Sequence, residues 1–212
     1  MTSRAAVLLL VVAGASCRAA APGARPGIVQ PGAPGESSRI IAVEKAVDLS
    51  QVRHTEADVR FMQGMIGHHA QALEMTALLP SRSSRPEMRM LAMRIDVSQA
   101  DEIAMMQTWL RVRGQTLPDP HAHHALGATL MPGMLTQEEM ARLGEANGRD
   151  FDRLFLESMI RHHEGALLMV QELFAQPGAG QDSEIFAFAS DVDADQRMEI
   201  QRMGTMLKEL EK

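Results

Sequence analysis

Cysteine occurs once in these 212 residues, at Cys17, so no disulfide can close within the chain. Tyrosine is absent and tryptophan occurs once. Positive charge is in deficit, with 21 Lys and Arg against 27 Asp and Glu and a formal net charge of −6. That balance argues against nucleic acid or an anionic membrane surface as partner and suits cations instead. The apolar run from Ala5 to Ala15 is too short to cross a bilayer. β-Branched alternation is sparse, which leaves little to build a sheet. A nucleophile with a paired base and a glycine loop able to cradle phosphate are both missing, so the chain reads as a binding protein and not an enzyme. Against these gaps stand seventeen methionines and eight histidines, and they are not scattered.

Residues 1–17 read as an export signal. Arg4 supplies the positive start, Ala5 to Ala15 the apolar run, and Gly14, Ala15 and Ser16 the small residues before Cys17. This placement suggests a lipoprotein cleavage site with a lipid on Cys17, although Gly14 stands where such sites usually carry Leu. The alternative is ordinary cleavage near Ala19, Ala20 and Ala21 without lipid. Residues 18–50, with "AAAPGARPGIVQPGAPGESS" at their head, read as a Pro, Gly and Ala-rich tether. An exported, periplasmic or extracellular domain, held to a membrane if Cys17 is lipidated, is then expected over residues 51–212, long enough to bury its own core.

Within it the apolar spacing predicts four long helices. The first covers about 55–79 and is expected to stop at Pro80. The second, about 85–113, opens on a capping box of Ser84, Arg85, Pro86 and Glu87 and ends at Gly114. A short helix opened by the capping box Thr136 to Glu139 is expected to end near Gly148; a helix over 149–175 follows, then one capped by Asp182 and reaching about Leu210.

The chain repeats itself. Asp58, Phe61, Met65, Ile66, His68, His69, Ala72 and Met75 recur 94 positions later as Asp152, Phe155, Met159, Ile160, His162, His163, Ala166 and Met169. Gln99, Glu102, Ile103, Met106 and Leu110 recur after 97 positions as Gln196, Glu199, Ile200, Met203 and Leu207. The domain is therefore two copies of a helical hairpin, about 55–113 and 149–210, joined by a His- and Met-rich connection over 114–148. One amphipathic hairpin cannot bury its own stripe, so the two are expected to pack as an all-α four-helix bundle with approximate two-fold symmetry.

At about 100° per residue, the repeated residues share an arc of roughly 120° on their helix. Methionine on such a face is commonly core filler, and a plain structural or partner-binding bundle is the bland reading. Two adjacent histidines on the same face weigh against it, because imidazole is costly to bury without partners and any apolar residue would pack better. Thioether and imidazole together favour Cu(I), and by the same logic Ag(I), over Mg, Ca or Mn. The candidate ligands are Met65, His68, His69 and Met75 in the first copy and Met159, His162, His163 and Met169 in the second. Zinc held by the four imidazoles alone is the alternative. Adjacent residues differ by about 100°, so one histidine of each pair is expected to face inward and the other a flanking helix or a second ion. Among the remaining methionines, Met106 and Met203 alone match between copies.

The connection offers His121, His123, His124, Met131 and Met134 on what reads as a loop. A labile capture site there, handing its ion to the bundle, completes the functional expectation.

The stretches "DVRFMQGMIGHHAQALEM", "MPGMLTQEEMARL" and "DFDRLFLESMIRHHEGALLM" resemble the exported bacterial family of domain of unknown function 305, whose copper-binding members are called CopM-like. The resemblance covers about 55–210. It implies a ferritin-like four-helix bundle and copper binding outside the cytoplasm that aids metal tolerance, with Met131 and Met134 in the family's M-P-G-M. His121, His123 and His124 are not part of that pattern. A ferritin-like fold also raises a di-iron oxidase, which needs Glu-x-x-His spacing; no glutamate here is followed by histidine three residues on. The donor or acceptor protein is not legible in the sequence.

Overall fold

The computed structural model describes residues 28–30, 38–43, 53–125, 127–210 and 212. The export signal, Cys17 and most of the tether lie outside them. The chain divides into two units, Met1–Gln51 and Val52–Lys212. In the first, strands β1 (Ile28–Gln30) and β2 (Arg39–Ile41) pair antiparallel, Ile28 opposite Ile41.

The second unit is helical: α1 (Glu56–Arg82), α2 (Pro86–Val112), α3 (Gln137–Glu145), α4 (Gly148–Ala175) and α5 (Ser183–Leu210), with a 3-10 turn at Ala122–His124 between α2 and α3. Helices α1 and α2 form one hairpin, α4 and α5 the other, and α1 packs on α4.

Local chemistry explains most of the boundaries. Thr55 caps α1 in a capping box with Asp58, which accepts from the Thr55 N–H at 2.6 Å. Thr136 and Glu139 form the same device on α3. Asp182 accepts from the N–H groups of Glu184 and Ile185 at the start of α5.

Three expectations fail. Pro80 does not end α1; it sits in the last turn, where the ring forfeits one backbone hydrogen bond, and the Ser83 N–H closes the end on the Leu79 carbonyl at 2.9 Å. The Ser84 capping box on α2 does not form either. Arg85 is the cap residue without a side-chain bond, and Pro86 is the first helical residue, where its missing N–H costs nothing. Gly148 opens α4 instead of closing α3, which ends at Glu145.

The core falls into two apolar clusters. One joins Met65 and Phe61 of α1 with Met106 of α2, Met169 of α4 and Phe188 of α5. The other joins Met75 of α1 with Met88 of α2, Phe151 and Met159 of α4 and Met203 of α5. The start of α1 thus meets the end of α4, and its end meets the start of α4, so these helices run antiparallel. Burying each such side chain stabilises the fold by about 1.5–3 kcal/mol. Between the clusters lies a polar layer.

Candidate metal centre

That layer is built from the repeated histidines. His68, His69, His162 and His163 are each 0–1% exposed. The antiparallel crossing of α1 and α4 brings His68 and His162 face to face, their ring centroids 3.9 Å apart. The 100° step sends each neighbour sideways. His69 Nε2–H donates to Glu102 Oε2 on α2 at 2.5 Å, and His163 Nε2–H donates to Glu199 Oε2 on α5 at 2.5 Å.

These bonds fix which nitrogen carries the proton. A carboxylate only accepts, so a hydrogen of His69 and of His163 sits on Nε2. His68 Nε2–H donates to the Pro132 carbonyl at 3.0 Å, which leaves its Nδ1 as the lone pair. Nδ1 of His68, His69 and His163, and Nε2 of His162, are buried without a hydrogen-bond partner. Gln99 and Gln196, one turn before the glutamates, add two buried carbonyl oxygens that also lack one. An imidazole whose N–H is held by a carboxylate or carbonyl, with its other nitrogen bare, is oriented as metal-binding histidines are.

Burial, reinforced by nearby His69 and His163, lowers His68 to a pKa of about 3. Burial first, then the charges of His68, His163 and His69, holds His162 well below the usual range. Both rings are neutral near pH 7, the form a cation requires.

Sulfur flanks the layer on both sides. Met65, Met106 and Met169 lie in one apolar cluster, and Met75, Met159 and Met203 in the other. Met131 packs on the first: a Cβ placed on Gly64 would stand 3.1 Å from Met131 Sδ and 3.4 Å from Met169 Cε. An open groove lined by Gly64, Met131, Pro132, Met169 and Glu172 leads to these two methionines. Met134 is buried.

Residues Met131 to Leu135 form a strap across α1 and α4. Gly133 takes φ +78°, and a Cβ there would stand 2.4 Å from the Arg161 carbonyl oxygen. Gln71 ties the far end, donating to the Leu135 carbonyl at 2.8 Å and accepting from its N–H at 2.7 Å. The strap thus delivers the Pro132 carbonyl that orients His68.

His121, His123 and His124 are not at this layer. They gather around Glu74 on the outer side of α1, with Pro120 near Gly67 and hence near Met131. Burial pushes the Glu74 carboxyl upward, but hydrogen bonds from His124, His121 and His123 outweigh it and hold it below its ordinary value.

The structure therefore joins His68 to His162 and turns His69 and His163 outward. Among the described residues, no three nitrogen or carboxylate donors of the buried layer lie within 4.8 Å of one another; Glu74, His123 and His124 do. A zinc ion held by all four buried imidazoles is thus not preformed. Glu102, Glu199 and Glu74 were missed as site residues. The first two carried a signal, an acid repeated on an otherwise apolar helix face; Glu74 carried none.

Among curated proteins, none matches this chain. Solved structures do. A DUF305 fragment from Deinococcus radiodurans is 35% identical, with TM-score 0.62, over 74% of this chain and 98% of that one. A DUF305 protein from Streptomyces coelicolor, described as secreted, is 30% identical, with TM-score 0.63, over 73% and 93%. CopM in its Cu(I)-bound form is 26% identical, with TM-score 0.56, over 72% and 96%. The sequence pattern of Domain of unknown function (DUF305) matches residues 58–207, and the chain belongs to that family.

Proposed function

We propose that this protein is an exported copper-binding protein that sequesters or carries Cu(I) in metal homeostasis, and that it is not an enzyme. The observation that carries the reading is the buried layer of four imidazoles, each with one ring nitrogen lacking a partner, set between two groups of methionine sulfurs. Bare imidazole nitrogen in an apolar, sulfur-lined interior is costly unless something soft occupies it. CopM, solved with Cu(I), Cu(II) and Ag bound, supports a metal-binding role for a relative of this architecture.

In this reading the two hairpins make a ferritin-like four-helix bundle. His68 and His162 supply nitrogen at its centre, and Met65, Met131 and Met169 on one side and Met75 and Met159 on the other supply sulfur. The Met131–Met169 groove is the route inward. His69 and His163, held by Glu102 and Glu199, keep the layer in one tautomer and offer nitrogen to further ions. Export follows from the N-terminal signal and agrees with the secreted description of the Streptomyces relative. Cys17, if lipidated, tethers the domain to a membrane.

Competition against a chromophoric Cu(I) chelator tests this. The protein should withdraw Cu(I) from the chelator, and His68→Ala/His162→Ala should lose that capacity while keeping its helical circular dichroism. Equal withdrawal by both proteins would remove the layer from the site.

A further inference from the structure

Outside the bundle, one cluster of metal-ligating side chains has a different chemistry. Glu74 Oε1 accepts from His121 Nδ1–H at 2.7 Å, and Glu74 Oε2 accepts from the Nε2–H of His124 at 3.0 Å and of His123 at 3.3 Å. We propose that Glu74, His121, His123 and His124 form a second metal site, selective for a borderline divalent cation, Cu(II) above Zn(II), and independent of the bundle layer.

Four arguments carry it. The donors are three imidazoles and a carboxylate with no sulfur, a set that favours divalent borderline ions over Cu(I), with Cu(II) the tightest by the Irving–Williams order. Donor spacing is close to what an ion needs: with bonds near 2.0–2.1 Å, neighbouring ligand atoms stand about 2.9 Å apart around the square-planar centre that Cu(II) prefers and about 3.3 Å apart around a tetrahedral one. His124 and His123 Nε2 stand 3.0 and 3.3 Å from Glu74 Oε2, and the ligand atoms of Glu74, His123 and His124 all lie within 4.8 Å of one another; on binding, each Nε2 gives up its hydrogen, the ring keeping one proton on Nδ1, so that its lone pair faces the ion.

The turn is also preformed. His121 N–H donates to Asp119 Oδ1 at 2.9 Å, His124 N–H closes the 3-10 turn on the His121 carbonyl at 2.9 Å, and Gln137 Nε2 donates to the His124 carbonyl at 2.8 Å. Binding would then order little new backbone. Access is one-sided: the His123 side chain is 5% exposed, whereas those of His121 and His124 are 58% and 57% exposed. An ion arriving from solvent meets these two exposed ligands first and is seated against His123 and Glu74. Three N–H donors around one carboxylate can also be satisfied without any metal, and that is the competing account.

The test is Cu(II) loading of the whole protein, followed by equilibrium dialysis and electron paramagnetic resonance. His123→Ala/His124→Ala, Glu74→Gln and His68→Ala/His162→Ala are compared, each checked for wild-type helical content. The proposal expects the first variant to hold one Cu(II) fewer than wild type and to lose the nitrogen hyperfine pattern of that ion. Glu74→Gln should weaken that equivalent roughly tenfold or more, excess Zn(II) should displace it, and His68→Ala/His162→Ala should retain it. Cu(I) capacity under reducing conditions should be the same in His123→Ala/His124→Ala as in wild type, so failure of the bundle reading and failure of this one show in different variants. Identical Cu(II) stoichiometry and spectra in wild type, His123→Ala/His124→Ala and Glu74→Gln would overturn the proposal and leave the cluster a hydrogen-bonded surface turn.

Discussion

Replacing Gly165 with alanine perturbs the strap without touching a candidate ligand. The added Cβ would stand 1.9 Å from the Pro132 carbonyl oxygen and 2.8 Å from Gly133 Cα. Both are backbone atoms, so no rotamer change relieves the clash, and the strap must lift from α4. Overpacking of this kind costs about 1–3 kcal/mol. Lifting Pro132 also removes the acceptor for His68 Nε2–H, worth about 1 kcal/mol for an ordinary hydrogen bond. Alanine's better helix propensity at a mid-helix position returns up to about 1 kcal/mol. The net is a loss of about 1–3 kcal/mol, or a fall of about 2 to 12 °C in melting temperature for a domain of this size. Cu(I) affinity should fall with it, because His68 loses the bond that holds its tautomer. A thermal melt of the copper-free protein and a chelator competition read the two effects separately. A variant that melts at or above the wild-type temperature with unchanged Cu(I) affinity would show that the strap neither presses on Gly165 nor orients His68.

Acid should destabilise the copper-free fold. His68 is held to about 3 in the folded state and titrates at 6.5 when unfolded, so its contribution is intact above pH 6.5 and lost as pH falls toward 3. At pH 5.5 His68 costs about 1.4 kcal/mol, and His162, shifted in the same direction, adds to the loss; urea midpoints at pH 7.5 and 5.5 should show it, and no difference would contradict the burial of neutral rings. Asp58→Ala should lower stability by about 2–4 kcal/mol, since it removes the acceptor of the Thr55 N–H from the α1 capping box and leaves the Gly180 N–H, bonded to Asp58 Oδ1 at 2.7 Å, buried alone; chemical denaturation measures this. Glu199→Leu should free the His163 ring, seen as a changed Nδ1/Nε2 tautomer pattern in nitrogen NMR, and weaken metal affinity about 10- to 100-fold; an unchanged pattern would mean the carboxylate does not set the tautomer.

How much of this was readable beforehand depends on whether the cause was local. The helices were, because their period and most of their caps are written within a few residues. So was the sharing of one face by His68 and Met65, and the divergence of adjacent histidines follows from the helical step alone. Pro80 misled because a proline costs little in a last turn, and that position is known only once the end is. The repeat marked Glu102 and Glu199, yet a matched acid on an apolar face reads as surface until its imidazole partner is seen. Least legible was the stripe on α1 made by Gly64, Gly67, Gln71 and Glu74, about one residue per turn. Two of these are small because Met131 and Pro120 lie against them; Gln71 holds the strap and Glu74 the histidine turn. Each is explained by a segment 47 to 67 positions away, which no short-range pattern encodes.

The central claim, that Cu(I) sits between the imidazole layer and the methionines, is met most directly by X-ray absorption on the protein loaded with one equivalent of Cu(I). Sulfur and nitrogen scatterers together around copper are predicted, with the nitrogen contribution reduced in His68→Ala/His162→Ala. A shell of nitrogen and oxygen without sulfur, unchanged in that variant, would contradict it.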